Sequence, residues 1–331
     1  MPTKSDRTPR QPALPVSRTE AAGVGAPTYF FDTTPVKNRI YARVLTLPKL
    51  VYGIVGVLVF MAAVVVAITV GQIAVAWATA GIKDAALAEA IPKVLGFGLM
   101  WAGFLIYARK AGFQAVGFGR GGGAKKIVLG LVGGLVLAVA VILPGLLIPG
   151  TSFTFNGAGF TTPTFWTGAA ITFVTVIIQG GAEELVFRSM LPKFLARKYG
   201  AIGIIVLSAI AFSLMHFTPA LKNPTVFLYT AALGLFFVVL AFATKSLWVV
   251  AALHAAYNFG VGYLTEQVIV APEINILVVQ LVTTGVGILA AVIVLIVLRV
   301  KRPGWQHERL TIDQAPTEPV DAEPSADAQP A

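Results

Sequence analysis

The chain has 331 residues, of which 56% are hydrophobic and only 12% charged, with a formal net charge of +10 and no cysteine. Soluble domains carry about 25% charged residues, so this composition argues against a water-soluble globular class. The missing cysteine removes disulfides, thiolate metal sites, a cysteine nucleophile and S-palmitoylation.

Apolar runs of roughly 20 residues recur along the chain, which predicts a polytopic helical membrane protein. A β-barrel would show short alternating segments instead. The basic surplus is spread over the connections, so it reads as membrane topology and not as a nucleic-acid surface. The lipid bilayer is the expected partner, and no nucleic acid is.

Residues 1–36 are rich in Pro, Thr, Ala and charge and lack an apolar core, which predicts disorder and excludes a signal peptide. Lys37, Arg39, Arg43 and Lys49 make residues 37–49 a basic approach to the membrane. Residues 1–49 therefore form the expected N-terminal segment, 50–300 an all-α domain of eight transmembrane helices, and 301–331 a disordered tail. The expected spans begin with Leu50–Ala78, Val94–Ala108 and Ile127–Ile148, the third carrying a Gly130/Gly134 spacing that permits close helix approach. The fourth starts near Phe165. The fifth to eighth are Ala201–Phe217, Val226–Thr244, Leu247–Leu264 and Ile274–Val300.

Charge sorts the connections into two sets. Leaving Arg188 aside, one set of loops and both terminal segments hold 21 Lys or Arg, against three (Lys83, Lys93, Lys222) in the other set. The positive-inside rule then puts both termini in the cytoplasm, which agrees with an even number of spans. The glycine-rich run 117–123 lacks the Gly-Lys-Ser/Thr ending of a phosphate loop and has no preceding strand, so it reads as a flexible cytoplasmic linker.

Glu183-Glu184-Leu185-Val186-Phe187-Arg188 interrupts the fourth apolar run. Each ionisable side chain at the bilayer centre costs roughly 2.5–3.5 kcal/mol or more, so such residues need a reason. His216 and His254 are the only histidines in the apolar part of the chain. If the fourth and fifth spans form a hairpin turning at Tyr199-Gly200, Glu183 and His216 both lie roughly 24 Å from the turn at 1.5 Å per residue. This requires the fourth helix to continue past Arg188 to about Arg197, and glycine at 200 suits its end. Neighbouring glutamates point about 100° apart and cannot share one job. Glu184 and Arg188 are spaced to pair, which offsets the cost of burying both and leaves Glu183 free to face the bundle. His254 and Asn258 share a face, and Phe212 is spaced to wall the His216 imidazole. Either histidine alone would be an ordinary packing contact, and a glutamate pair alone could serve a proton relay; three such motifs on three spans point to a site. No HExxH occurs, Ser213 lacks a Gly-x-Ser-x-Gly setting, and no aspartate lies in a span.

Glu183-Glu184-x-x-x-Arg188, Phe212-x-x-x-His216 and His254-x-x-x-Asn258, in this order within about residues 165–265, resemble the CPBP group of type II CAAX prenyl endopeptidases, also called the Abi family. The resemblance implies an eight-helix intramembrane protease with a cavity open to the cytosol. It implies that Glu183 and His216 activate water and that His254 and Asn258 stabilise the oxyanion. Glu184, Arg188 and Phe212 are expected to support them. Metal dependence is commonly assigned to the family, so the resemblance leaves two expectations open: zinc held by Glu183, His216 and His254, or a glutamate that works without a metal. The same residues suit the chemistry directly: hydrolysis needs a base and oxyanion donors, and two histidines with a glutamate form a possible zinc set with an open position.

The expected function is thus metal-assisted hydrolysis of a membrane-associated, hydrophobic or prenylated peptide, in the plasma membrane if the host is bacterial. A non-catalytic immunity or scaffold protein of the same fold is the alternative. A proton-coupled transporter is a third reading, without a visible inverted repeat.

Overall fold

The structure, a computed structural model, describes residues 44, 46–78, 85–111, 117–119, 123–147, 154–270 and 275–305. The segments expected to be disordered, 1–36 and the tail from 306 onward, lie outside the described residues, as does most of the basic approach 37–49. Helices follow the expected spans in order. They are α1 (Lys49–Ala78), α2 (Ala85–Ala111), α3 (Gly123–Leu146), α4 (Pro163–Leu195), α5 (Ala201–Leu214), a short α6 (Phe217–Lys222), α7 (Thr225–Thr244), α8 (Leu247–Phe259) and α9 (Ile276–Lys301). A π-helical turn, Gly260–Leu264, prolongs α8. Two short strands, β1 (Thr154–Phe155) and β2 (Ile269–Val270), pair antiparallel with Thr154 opposite Val270.

Local chemistry starts these helices where they start. Thr162 caps α4, its hydroxyl accepting from the Phe165 amide at 3.3 Å, with Pro163 in the first turn where no amide partner is needed. Asn275 caps α9 in the same way, accepting from the Val278 amide. α7 and α8 are joined by Lys245 and Ser246, and Lys245 takes a left-handed conformation (φ 51°) to make so short a turn.

Five helical stretches are long and apolar enough to cross a membrane: Lys49–Gly71, Gly123–Leu146, Pro163–Leu195, Thr225–Thr244 and Ile276–Lys301; Ala90–Ile106 and Ala201–Leu214 are shorter apolar helices. Leu58, Val66, Val136, Ile296 and Val300 are each more than half exposed on the outside of the bundle. A surface of that kind requires lipid as its solvent. The molecule is an all-α, multi-pass integral membrane protein.

α7 and α8 form the interior, with Phe237, Val238, Val239, Leu247 and Val250 fully buried. α3 approaches α8 closely through its two small residues. A Cβ on Gly130 would lie 2.4 Å from the Val249 carbonyl oxygen, and one on Gly134 would lie 2.3 Å from that of Leu253. The Gly130/Gly134 spacing is thus a helix contact, and it sets the height of the helix that carries His254.

Four details differ from the sequence reading. α5 stops at Leu214, so His216 lies in the turn before α6 and not inside the fifth span. Gly200 does not end α4 in a left-handed conformation; it sits before α5 with extended backbone (φ −78°, ψ 176°). Residues 117–119 are buried instead of forming a loose linker: Phe118 packs on Trp248, and the Leu247 amide donates to the Gly117 carbonyl. Residues 301–305, expected in the tail, belong to the fold instead: α9 runs to Lys301 and Trp305 is buried against Phe242.

Gly134→Val should overpack the α3–α8 contact and cost about 1–3 kcal/mol. A drop in the thermal unfolding midpoint in detergent, absent from Gly98→Ala, where a Cβ meets nothing within 4 Å, is the expected result. An unchanged midpoint for Gly134→Val would refute the contact.

Candidate active site

α4 carries the site because it is irregular there. Its α-helical part ends at Glu184, and Leu185–Met190 form a π-helical segment before α-helix resumes at Leu191. Such widened turns occur mostly singly within α-helices and often at functional sites. Here the segment buries Leu185, Val186, Phe187, Arg188 and Ser189 together. One turn earlier, Gly180 brings α4 against α8: a Cβ there would lie 3.5 Å from the His254 ring and 3.4 Å from the Ala255 amide nitrogen.

The two glutamates point to different partners, as their spacing requires. Glu184 is fully buried; its Oε1 lies 2.8 Å from His254 Nδ1 and its Oε2 lies 3.1 Å from Arg188 Nε. A carboxylate can only accept, so the imidazole proton sits on Nδ1 in this contact. The Arg188 contact is an ion pair without hydrogen-bond geometry, since neither atom has a hydrogen-bond partner. Arg188 is 1% exposed. Its guanidinium carbon sits 4.2 Å from the centre of the Phe212 ring and 5.3 Å from that of Phe237, and Nη2 donates weakly to the Gly234 carbonyl at 3.5 Å. Two aromatic faces and a carboxylate thus replace water around this cation.

Glu183 lies on the other side of the same imidazole. Its Oε1 accepts from Gln179 Nε2 at 3.0 Å, and its Oε2 is 3.8 Å from His254 Nε2. That Oε2 is buried and has no hydrogen-bond partner. His254 is therefore held between two carboxylates, with both ring nitrogens assigned a neighbour.

Glu183, His254, His216, Phe212 and Asn258 all line one cavity of about 290 Å³. His216 and Asn258 are half-buried there. His216 Nδ1 is 2.9 Å from the Phe212 carbonyl oxygen, which only accepts, so His216 also carries its proton on Nδ1 and leaves Nε2 for the cavity. The Phe212 ring stands 5.0 Å from the His216 ring and 5.8 Å from that of His254. All seven residues singled out from the sequence therefore meet at one place, either in the cavity or in the charged cluster behind it. The partnership differs in one respect: Glu183 makes its contacts with Gln179 and His254, and none with His216.

Several wall residues escaped the sequence reading. Gln179 was legible, being one turn before Glu183 on the same face. Gln280 and Thr283, polar residues in the otherwise apolar α9, also line the cavity, and their polarity was the available signal. The contact between Glu184 and His254 was not legible, because it depends on how α4 is rotated at its π segment.

The expected zinc set was Glu183, His216 and His254. Among the described residues no group of three His, Asp or Glu side chains is gathered to hold a metal ion. Glu183 and His254 approach each other and His216 lines the same cavity, without the three being gathered into one ligand set.

Arg188→Ala should leave the Glu184 charge buried without its cation and cost about 3–5 kcal/mol. Arg188→Lys should recover only part, since an ammonium lacks the flat guanidinium that stacks between Phe212 and Phe237. Thermal unfolding of both variants in detergent measures this; equal midpoints for Arg188→Ala and the parent protein would contradict the assignment.

Residues 164–260 match the family model Rce1-like, described as type II CAAX prenyl endopeptidase Rce1-like. No curated protein and no solved structure matches the chain. The matched segment starts in the first turn of α4 and ends as α8 turns π-helical, so it contains every site residue named from the sequence. Through this segment, which holds the whole buried site, the chain is similar to the type II CAAX prenyl endopeptidases.

Proposed function

We propose that the chain is an intramembrane endopeptidase that hydrolyses a peptide bond in a membrane-associated, hydrophobic or prenylated substrate. The observation that carries this reading is the Glu183 Oε2 atom: buried, without a hydrogen-bond partner, and 3.8 Å from His254 Nε2. A buried polar atom with no partner calls for an explanation. A carboxylate oxygen that accepts a proton from the attacking water supplies one. The family match supports a protease, and the eight expected spans with both termini in the cytoplasm fit the charge of the loops.

The steps follow from the residues of this chain. Gln179 fixes the Glu183 carboxylate, and Oε2 takes a proton from water as its oxygen attacks the carbonyl carbon. The developing oxyanion needs donors. The Asn258 amide, one turn beyond His254 on α8, offers one. His254 Nε2, which faces Glu183 Oε2 at 3.8 Å, offers another when it holds a proton. His216, whose Nδ1 is occupied by the Phe212 carbonyl, presents Nε2 to the cavity as a second proton acceptor. Glu183 then passes its proton to the leaving amine.

Zinc, where bound, would polarise the carbonyl and activate water. No step above needs it, and among the described residues no three such side chains are gathered as a ligand set. Cleavage is expected to survive saturating chelator, and the purified protein to hold no stoichiometric metal. Loss of cleavage on chelation, restored by added zinc, would overturn the metal-free reading.

Glu183→Gln keeps the shape and removes the base. Cleavage of a hydrophobic peptide by the purified protein should fall by about 10²–10⁴-fold, with the unfolding midpoint kept. Undiminished cleavage would sink the assignment. A physiological role that survives Glu183→Gln in the cell would favour the binding or immunity reading instead.

A further inference from the structure

Gln280 stands between Val279 and Leu281, one turn into α9, and lines the same cavity as Glu183, His216, His254 and Asn258. A polar side chain on an apolar, membrane-length helix is kept where it is hydrogen-bonded or used. Both ends of this amide matter, and a backbone group decides which end serves which purpose.

Asn223-Pro224-Thr225 makes the turn between α6 and α7. Asparagine before proline favours such a turn. The Asn223 side chain closes it, its Oδ1 accepting from the Thr225 amide at 3.2 Å. A backbone N–H can only donate, so the atom it meets is the oxygen of Asn223 and the other end of that amide is the nitrogen. Asn223 Nδ2 in turn meets Gln280 at 2.9 Å. The Gln280 atom it meets must accept, and is therefore Oε1. The Thr225 hydroxyl, 2.6 Å from Asn223 Oδ1, also touches Gln280 Oε1. Polarity thus runs in one direction from the α7 backbone through Asn223 to Gln280. It leaves Nε2, with its two N–H donors, as the end of the Gln280 amide that serves the cavity.

Neighbouring groups of the wall spend their donors inside the protein. Thr283 donates to the Val279 carbonyl at 2.7 Å, Thr230 to that of Val226 at 2.6 Å, and Gln179 to Glu183 at 3.0 Å. A polypeptide that leaves water for this cavity brings the matching group with it, since each of its residues carries a main-chain carbonyl that needs a donor.

We propose that Gln280 is a substrate-binding residue whose Nε2 donates to a main-chain carbonyl of the bound polypeptide, and that Asn223 is the positioning residue that keeps this donor turned toward it. The proposal deepens the protease reading and rests on it for the class of substrate.

Binding of a fluorescent apolar peptide is measured in detergent with the Glu183→Gln protein, so that the peptide is not consumed. Adding Gln280→Met removes the donor and should raise Kd about 2- to 10-fold, the worth of one neutral hydrogen bond. Adding Asn223→Asp instead is the sharper test. The new carboxylate still accepts from the Thr225 amide but offers Gln280 a second acceptor, so Gln280 turns Nε2 toward it and presents Oε1 to the cavity. Kd should rise by a similar factor while the unfolding midpoint is kept, because the contact between the two side chains survives. With Glu183 in place, the same changes should appear mainly in KM and much less in kcat. Unchanged binding in either variant would overturn the proposal. So would weaker binding in Asn223→Asp that comes with a matching fall in the midpoint, the mark of a purely structural latch. No binding of the peptide to the Glu183→Gln protein would also overturn it, and the protease reading is then decided by cleavage in the chain with Glu183. Binding that responds to both variants, with no cleavage by the chain with Glu183, would overturn the protease reading alone.

Discussion

One buried chain of charge orders this molecule: Arg188 against Glu184, Glu184 against His254 Nδ1, and His254 Nε2 facing Glu183. Removing four charged or titratable groups from water is expensive, and the mutual attraction offsets that cost only when the geometry is held. The surrounding structure holds it. The π segment of α4 turns Arg188 inward between Phe212 and Phe237. Gly180 lets α8 come close enough for His254 to reach Glu184, and the Gly130/Gly134 contact positions α8 from behind. Stability and the orientation of the site are thus the same interaction.

That arrangement gives the two adjacent glutamates separate work. Glu184 is used up by Arg188 and His254 and serves positioning. Glu183 keeps one oxygen unpartnered at the cavity wall. A single carboxylate could not do both, because the ion pair that fixes the helix would occupy the oxygen that must accept a proton. The adjacency of the pair in sequence is what separates the jobs in space, at about 100° around the helix.

The sequence made much of this legible, for physical reasons. Ionisable residues are so costly in apolar helices that Glu183, Glu184, Arg188, His216 and His254 stood out without any structure. Helical spacing predicted the Glu184–Arg188 pair, and small residues at 130 and 134 predicted a close crossing. What spacing missed depends on departures from regular helix. The early end of α5 at Leu214 puts His216 in a turn. Glu183, at the end of the regular part of α4, makes its contact with His254 and not with His216. Local polarity also failed for residues 117–119, where a glycine-rich stretch is pinned by Phe118 on Trp248. Composition describes what a segment prefers alone, and tertiary contacts override it.

The central claim is that the buried carboxylate of Glu184 holds the His254 imidazole with its proton on Nδ1, leaving Nε2 toward Glu183. The chain contains only three histidines, so imidazole ¹⁵N resonances can be assigned by removing His216 and His307 in turn. The predicted spectrum of the histidine-labelled protein shows a His254 Nδ1 proton in a strong hydrogen bond, lost in Glu184→Gln while the Arg188 contact is weakened. A neutral His254 protonated only at Nε2, insensitive to Glu184→Gln, would contradict the account.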